Sequence, residues 1–271
     1  MNSIIEDDKL NNSWLYLDTS NNNDPSSNVV FIYNHSNVYI SDNHKIAFWA
    51  WMQKCDLKSS YQFIHIDFHD DLAVFRKQYE SFEYRDELQS IDEYINLKEI
   101  QWDTYIYLAY KLFHNWFVNT IFMTKECPCD TEYAECSSKC IKKSCKNYND
   151  TNGLKICYVC QGIEEINAYV REDLPIILNI DIDWFIDCDS NEKNYDMDKV
   201  VAFSKELNLF INSHNIAVCT IALSPEVCAH WDKQAGWNKA IRILTIMSEN
   251  VSSVIPAIFV EELSGFILPK V

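Results

Sequence analysis

Two apolar runs that end in clustered carboxylates constrain this chain more than any other feature. Phe63-Ile64-His65-Ile66 leads into Asp67-Phe68-His69-Asp70-Asp71-Leu72, and Pro175-Ile176-Ile177-Leu178-Asn179-Ile180 leads into Asp181-Ile182-Asp183-Trp184-Phe185. Short apolar runs of this kind read as buried strands. On an extended backbone alternate side chains share a face, so Asp67, His69 and Asp71 are expected on one side with His65 in register behind them, and Asp181 beside Asp183. Taken alone, Asp-x-His-x-Asp is also what a polar strand exit looks like. A second carboxylate pair after another apolar strand weighs against that reading. Four carboxylates gathered in apolar surroundings repel strongly unless they are protonated or neutralised, and two divalent cations balance them. The expectation is a binuclear metal site at two strand ends.

The rest of the chain supplies a frame for those ends. Val29–Tyr33 reads as a strand, Asn34-His35-Ser36-Asn37 as a turn, and Ser41-Asp42-Asn43-His44 as the start of a helix with His44 in its first turn. The aromatic and aliphatic stretch from Gln101 to Phe117 predicts a buried helix, and Val118–Met123 a strand. After residue 175 strands and helices alternate: a strand over 175–181, a helix over 196–213, a strand over 216–223, a helix over 233–248 and a last strand over 254–260. Such alternation implies βαβ crossovers and a parallel sheet, with ligands bound at the carboxyl ends of its strands. The expected organisation is a polar leader over 1–28 and one α/β domain over 29–271. That domain carries an insertion at about 125–160, where seven cysteines (127, 129, 136, 140, 145, 157 and 160) sit among polar residues. Cys127-x-Cys129 and Cys157-x-x-Cys160 suit either a structural zinc or reduced thiols and labile disulfides in a surface loop.

Charge narrows the partners. With 23 Lys and Arg against 40 Asp and Glu, the chain carries −17 at neutral pH, which disfavours nucleic acid and anionic membranes and suits a cationic substrate or partner. No stretch has the roughly twenty apolar residues of a spanning helix, and residues 1–28 lack the basic start and apolar centre of a secretory signal, so a cytoplasmic protein is expected.

The two carboxylate motifs resemble those of the ureohydrolase (arginase) superfamily. Asp42-Asn43-His44, His65-Ile66-Asp67-Phe68-His69-Asp70-Asp71-Leu72, Asn179-Ile180-Asp181-Ile182-Asp183-Trp184-Phe185 and Leu223-Ser224-Pro225-Glu226 are similar in detail to the peptide arginases. The resemblance covers scattered motifs over residues 30 to 265, leaving out the Cys-rich stretch. It implies a three-layer α/β/α arginase-like fold with a mainly parallel sheet and two Mn2+ ions. It also implies conversion of arginine side chains of a ribosomal precursor peptide to ornithine with release of urea. Carried over by residue, it implies that Asp67 and Asp181 bridge the metals, that His44 and Asp71 complete one, and that His69 and Asp183 complete the other. Oxygen-rich ligation with two imidazoles and no thiolate suits manganese.

Two further residues are candidates for the chemistry. Glu226, after a proline at a strand end, either pairs with a planar guanidinium or is a first-turn helix carboxylate. His114, in the aromatic helix, either shuttles a proton to the departing amine or is a packed core histidine. His44 is either a ligand or a capping histidine. The chain departs from ordinary arginases: no Asn-containing loop follows Asp71 to hold the ends of free arginine, and Trp184-Phe185 follows Asp183. Hydrolysis of a free guanidino or amide compound, or metal binding without catalysis, are the alternative readings.

Overall fold

The computed structural model describes residues 13–17, 29–72, 80–125, 148–149, 153–159, 162–186, 195–225 and 233–267. Its centre is a mixed sheet of nine strands in the order β1-β2-β3-β9-β8-β4-β5-β7-β6. The strands are β1 (Trp14–Leu17), β2 (Phe31–His35), β3 (Val38–Ser41), β4 (Gln62–Asp67), β5 (Asn119–Thr124), β6 (Tyr148–Asn149), β7 (Lys155–Val159), β8 (Ile176–Asp181) and β9 (Ile216–Ala222). The six from β3 to β7 in that order pair in parallel, and antiparallel strands close both edges.

Helices cover both faces, which is why the central strands are apolar on both sides rather than alternating with polar residues. Ile64, Ile66, Leu178 and Ile180 face one core with α5 (Met197–Ser213), α6 (Lys233–Asn250) and α7 (Ala257–Ile267). Phe63, Phe122, Ile177 and Val218 face the other, against α1 (Lys45–Lys54) and α3 (Tyr105–Leu112). Two short helices, α2 (Ile91–Tyr94) and α4 (Ile163–Asn167), complete the described set. Among the described residues no helix is long and apolar enough to cross a membrane.

Strand order locates the site. The chain leaves β4 for β5 on one side and leaves β8 for β9 on the other, so adjacent strands β4 and β8 flank a topological switch point. At such a point the two outgoing connections diverge to opposite faces and leave a crevice beyond the carboxyl ends. Those ends are Asp67 and Asp181, brought level by the pairing His65↔Asn179 and Ile66↔Ile180.

The expected strands at 29–33, 62–67, 118–123, 175–181 and 216–223 and helices at 196–213 and 233–248 all form, with ends displaced by one or two residues. Four expectations need correction. The stretch 254–260 is a turn followed by the start of helix α7 at Ala257, not a strand: Pro256 has no N–H for a ladder, and Phe259, Val260 and Leu263 recur at helical spacing and are buried. The Phe259 ring centre lies 4.4 Å from that of Tyr33. The aromatic helix is shorter than 101–117, ending at Leu112; Phe113 leaves it and stacks on Trp116 at 4.3 Å, and a 3-10 turn covers His114–Phe117. Within 125–160, Lys155–Val159 is a sheet strand with Ile156, Tyr158 and Val159 buried, so the Cys-rich composition hid core structure. Within the leader, Trp14–Leu17 pairs with β2 as an edge strand. Cys157 lies half-buried on β7, while Cys127, Cys129, Cys136, Cys140, Cys145 and Cys160, and with them the zinc reading, lie outside the described residues.

Gly236 on α6 packs against the backbone of Pro225, and a Cβ there collides with the Pro225 carbonyl. Gly236→Ala is therefore expected to lower stability to urea by about 1–3 kcal/mol, as overpacking does. An unchanged unfolding midpoint contradicts this close approach.

Candidate metal centre

Backbone turns, rather than strand alternation, gather the ligands. β4 ends at Asp67, and the chain then bends: the Asp67 Oδ1 accepts the His69 N–H at 2.8 Å, and Asp71 takes a left-handed φ of 51° that returns its carboxylate to the cluster. This corrects the expectation of one extended run. Asp adopts this φ more readily than most residues, since its short side chain bonds locally. On the neighbouring strand Asp181 caps a 3-10 turn, Ile182–Phe185, by accepting the Asp183 N–H at 3.0 Å, which swings Asp183 toward β4. There the Asp183 Oδ1 accepts the Phe68 N–H at 3.2 Å, so the second motif holds the turn of the first.

His44 arrives from a third strand. Asp42 accepts the N–H groups of Val30 and Phe31 at 2.8 and 3.0 Å, fixing the β2–β3 hairpin, and Asn43 accepts the Lys45 N–H at 3.0 Å at the head of α1. His44, between them, is buried and directed inward. Its Nδ1 lies 2.6 Å from Asp71 Oδ2 and 3.5 Å from Asp67 Oδ2, and its Nε2 lies 3.0 Å from Asp181 Oδ2. His69 Nδ1 lies 3.2 Å from Asp183 Oδ2 and 3.8 Å from Asp67 Oδ1.

All six expected ligands thus come together. Five of them form two groups with donor atoms within 4.8 Å of one another, His44 with Asp67 and Asp181, and Asp67 with His69 and Asp183, while Asp71 meets the first through His44. Asp67 belongs to both. Asp67 Oδ2 is buried without a hydrogen-bond partner, as a donor to a cation is before it binds. Carboxylate oxygens and imidazole nitrogens fit a hard or borderline divalent ion, and the residues present therefore suit manganese.

The other expected site residues fare differently. His114 is exposed on the 3-10 turn beyond α3, and the adjoining Asn115 carbonyl accepts the Tyr61 N–H at the start of β4. The cluster lies at the far end of that strand, so the structure does not bring His114 to the site. Glu226 lies outside the described residues. Residues not singled out as site residues from sequence do take part. Ser224, at a left-handed φ of 37°, donates to Asp181 Oδ2 at 2.5 Å. Tyr105, Asn179 and Thr220 form a buried polar row behind the carboxylates, and His65 joins it. Period two carried a signal for His65 and Asn179, each two residues before a ligand on its own strand.

The charges explain the protonation. Burial, and then the charges of Asp183, Asp71 and Asp181, push the Asp67 carboxyl well above its ordinary range. Burial and Asp183 raise Asp181 as well. Burial disfavours the His44 imidazolium, but Asp181 and Asp71 outweigh it and hold His44 well above its usual value. Burial works against ionised Asp71 too, yet the charge and hydrogen bond of His44 leave it below the ordinary carboxylate value. Burial lowers His65 to about 4, so it is neutral.

No family model matches this chain, and no curated protein matches it.

Without cations the cluster keeps protons on Asp67 and His44 at pH values where free carboxyls and imidazoles have lost them. Ligation requires deprotonated donors, so a divalent cation would have to displace those protons, and its apparent affinity would fall as pH falls. Calorimetric titration at neutral pH in buffers of different ionisation enthalpy should show net release of about one to two protons per chain. Binding with no proton release contradicts this account.

Proposed function

We propose that this chain is a binuclear-manganese hydrolase of arginase-like fold that converts arginine side chains of a ribosomally made precursor peptide to ornithine and urea. The observation that carries the reading is the pair of ligand groups sharing Asp67, His44/Asp67/Asp181 and Asp67/His69/Asp183, which takes in five of the six ligands implied by the resemblance to the peptide arginases. The parallel six-strand core, with its switch point at β4 and β8, supports the fold part of the proposal.

Bound manganese supplies Lewis acidity and lowers the pKa of water enough for attack near neutral pH. The residues do the rest. Asp67, common to both groups, would hold both ions, and Asp181, steadied by Ser224, would join it. Five of the six ligands are largely buried, while the His69 side chain is 39% exposed and opens the cluster to solvent, where the guanidinium arrives. Water adds to the guanidinium carbon, the bond from that carbon to the side-chain nitrogen breaks, and that nitrogen takes a proton to leave as the ornithine amine; urea carries the oxygen. Glu226 directly follows Ser224-Pro225, and in this reading its carboxylate pairs with the guanidinium. The −17 charge favours approach of an arginine-bearing peptide. Free arginine lacks a matching loop for its α-amino and α-carboxylate groups, so it loses the positioning that makes attack effectively intramolecular.

Mass spectrometry of an arginine-containing precursor peptide incubated with enzyme and manganese should show losses of about 42 Da per converted residue under this hydrolysis. Urea should accumulate in step, and a chelator should stop both. Efficient turnover of free arginine with every peptide unchanged overturns the proposal. On the same peptide, Asp181→Asn should abolish turnover, whereas His114→Ala, an exposed change far from the cluster, should alter it by no more than roughly twofold. Comparable losses in the two variants refute the site assignment.

A further inference from the structure

Besides the two ligand groups already described, His65, Asp67 and Asp71 form a third set with donor atoms within 4.8 Å of one another. By distance alone the cluster admits a third cation. The hydrogen bonds behind it decide otherwise. Pairing across three parallel strands puts His65, Asn179 and Thr220 in one row. Thr220 Oγ1 donates to Asn179 Oδ1 at 2.7 Å and itself receives the Trp51 indole N–H at 3.2 Å. The Asn179 amide nitrogen faces two atoms, the Tyr105 hydroxyl oxygen at 2.9 Å and His65 Nδ1 at 2.8 Å.

Tyr105 has a single proton, and its hydroxyl is hydrogen-bonded to the Asp71 carboxylate. A carboxylate only accepts, so Tyr105 donates there and presents a lone pair to Asn179. Asn179 must then point its N–H groups at both Tyr105 and His65, and its carbonyl at Thr220. An imidazole nitrogen that accepts an N–H carries no proton of its own, so the proton of His65 sits on Nε2. That nitrogen is buried without a partner, 3.5 Å from the equally unpartnered Asp67 Oδ2. The ring has little freedom to turn away, since Phe63 stacks 6.2 Å from it and Phe122 lies at 4.8 Å.

We infer that His65 is a positioning residue and not a ligand: Asn179 locks it in the Nε2–H form, which orients the shared carboxylate of Asp67 and limits the cluster to two cations. The count of cations rests on the binuclear reading above; the tautomer does not.

The test is a long-range 1H–15N correlation spectrum of the full chain, labelled with 15N-histidine and free of metal. His65 Nδ1 should show a pyridine-like shift and Nε2 a pyrrole-like one. The reverse pattern frees Nε2 to ligate and overturns the inference. Manganese titration gives a second readout. His65→Leu should still take two ions, with affinity lowered on the order of 10–100-fold, as for other groups that orient ligands. His65→Gln, which keeps a side-chain N–H donor, should recover most of that loss. A stoichiometry of three that drops to two in His65→Leu refutes the inference. A chain that binds no manganese yet shows the Nε2–H tautomer defeats the proposed function while leaving the lock in place.

Discussion

Mutual repulsion among buried carboxylates around Asp67 is the constraint on which the rest of this structure depends. Asp67 shares donor sets within 4.8 Å with Asp71, Asp181 and Asp183. Two unit charges about 4 Å apart interact by on the order of 4 kcal/mol at an effective dielectric near 20, so an uncompensated cluster threatens a stability of only about 5–15 kcal/mol. The protein answers with donors: the His69 N–H on Asp67, Phe68 N–H on Asp183, Ser224 hydroxyl and Asp183 N–H on Asp181, and His44 on Asp71. Protons held on Asp67 and His44 cover the remainder. A fold that merely tolerated these residues would gain by making them apolar.

The sheet makes the concentration of charge possible. Apolar strands β4 and β8 are buried on both faces, so the sheet is rigid up to the residue where the charges begin. The left-handed backbone at Asp71 and Ser224 then places one ligand and one ligand-holding hydroxyl at the crevice. Conformations of that kind persist where surrounding structure over-determines them and gather at functional sites. Here the surroundings are Gly236, which lets α6 close on Pro225, and Asp42, whose side chain ties down the start of β2 and whose carbonyl accepts the Ser224 N–H.

Much of this was legible in the sequence. Apolar runs with β-branched residues marked the central strands, and the carboxylates at their ends pointed to the buried cluster that the structure assembles, because local composition and burial agree there. What stayed hidden depends on distant partners. Tyr105 and Thr220 sit in stretches that read as plain core, and their polarity has meaning only once their helix and strand meet Asn179 on β8. Lys155–Val159 was masked by the cysteines around it, although Ile156, Tyr158 and Val159 are core residues. Val254–Val260 has strand-like composition, and only Pro256 argued against it. His114 shared an aromatic stretch with Tyr105, but the helix carries the two to opposite ends of the sheet, so one stretch supplies a site residue and a surface residue.

Anomalous diffraction at the manganese absorption edge, from crystals grown with manganese, tests the central claim most directly. Two peaks should flank Asp67, one contacting His44 and Asp181 and the other His69 and Asp183. A single peak, or manganese bound only away from Asp67, contradicts the account of these carboxylates as a two-cation site.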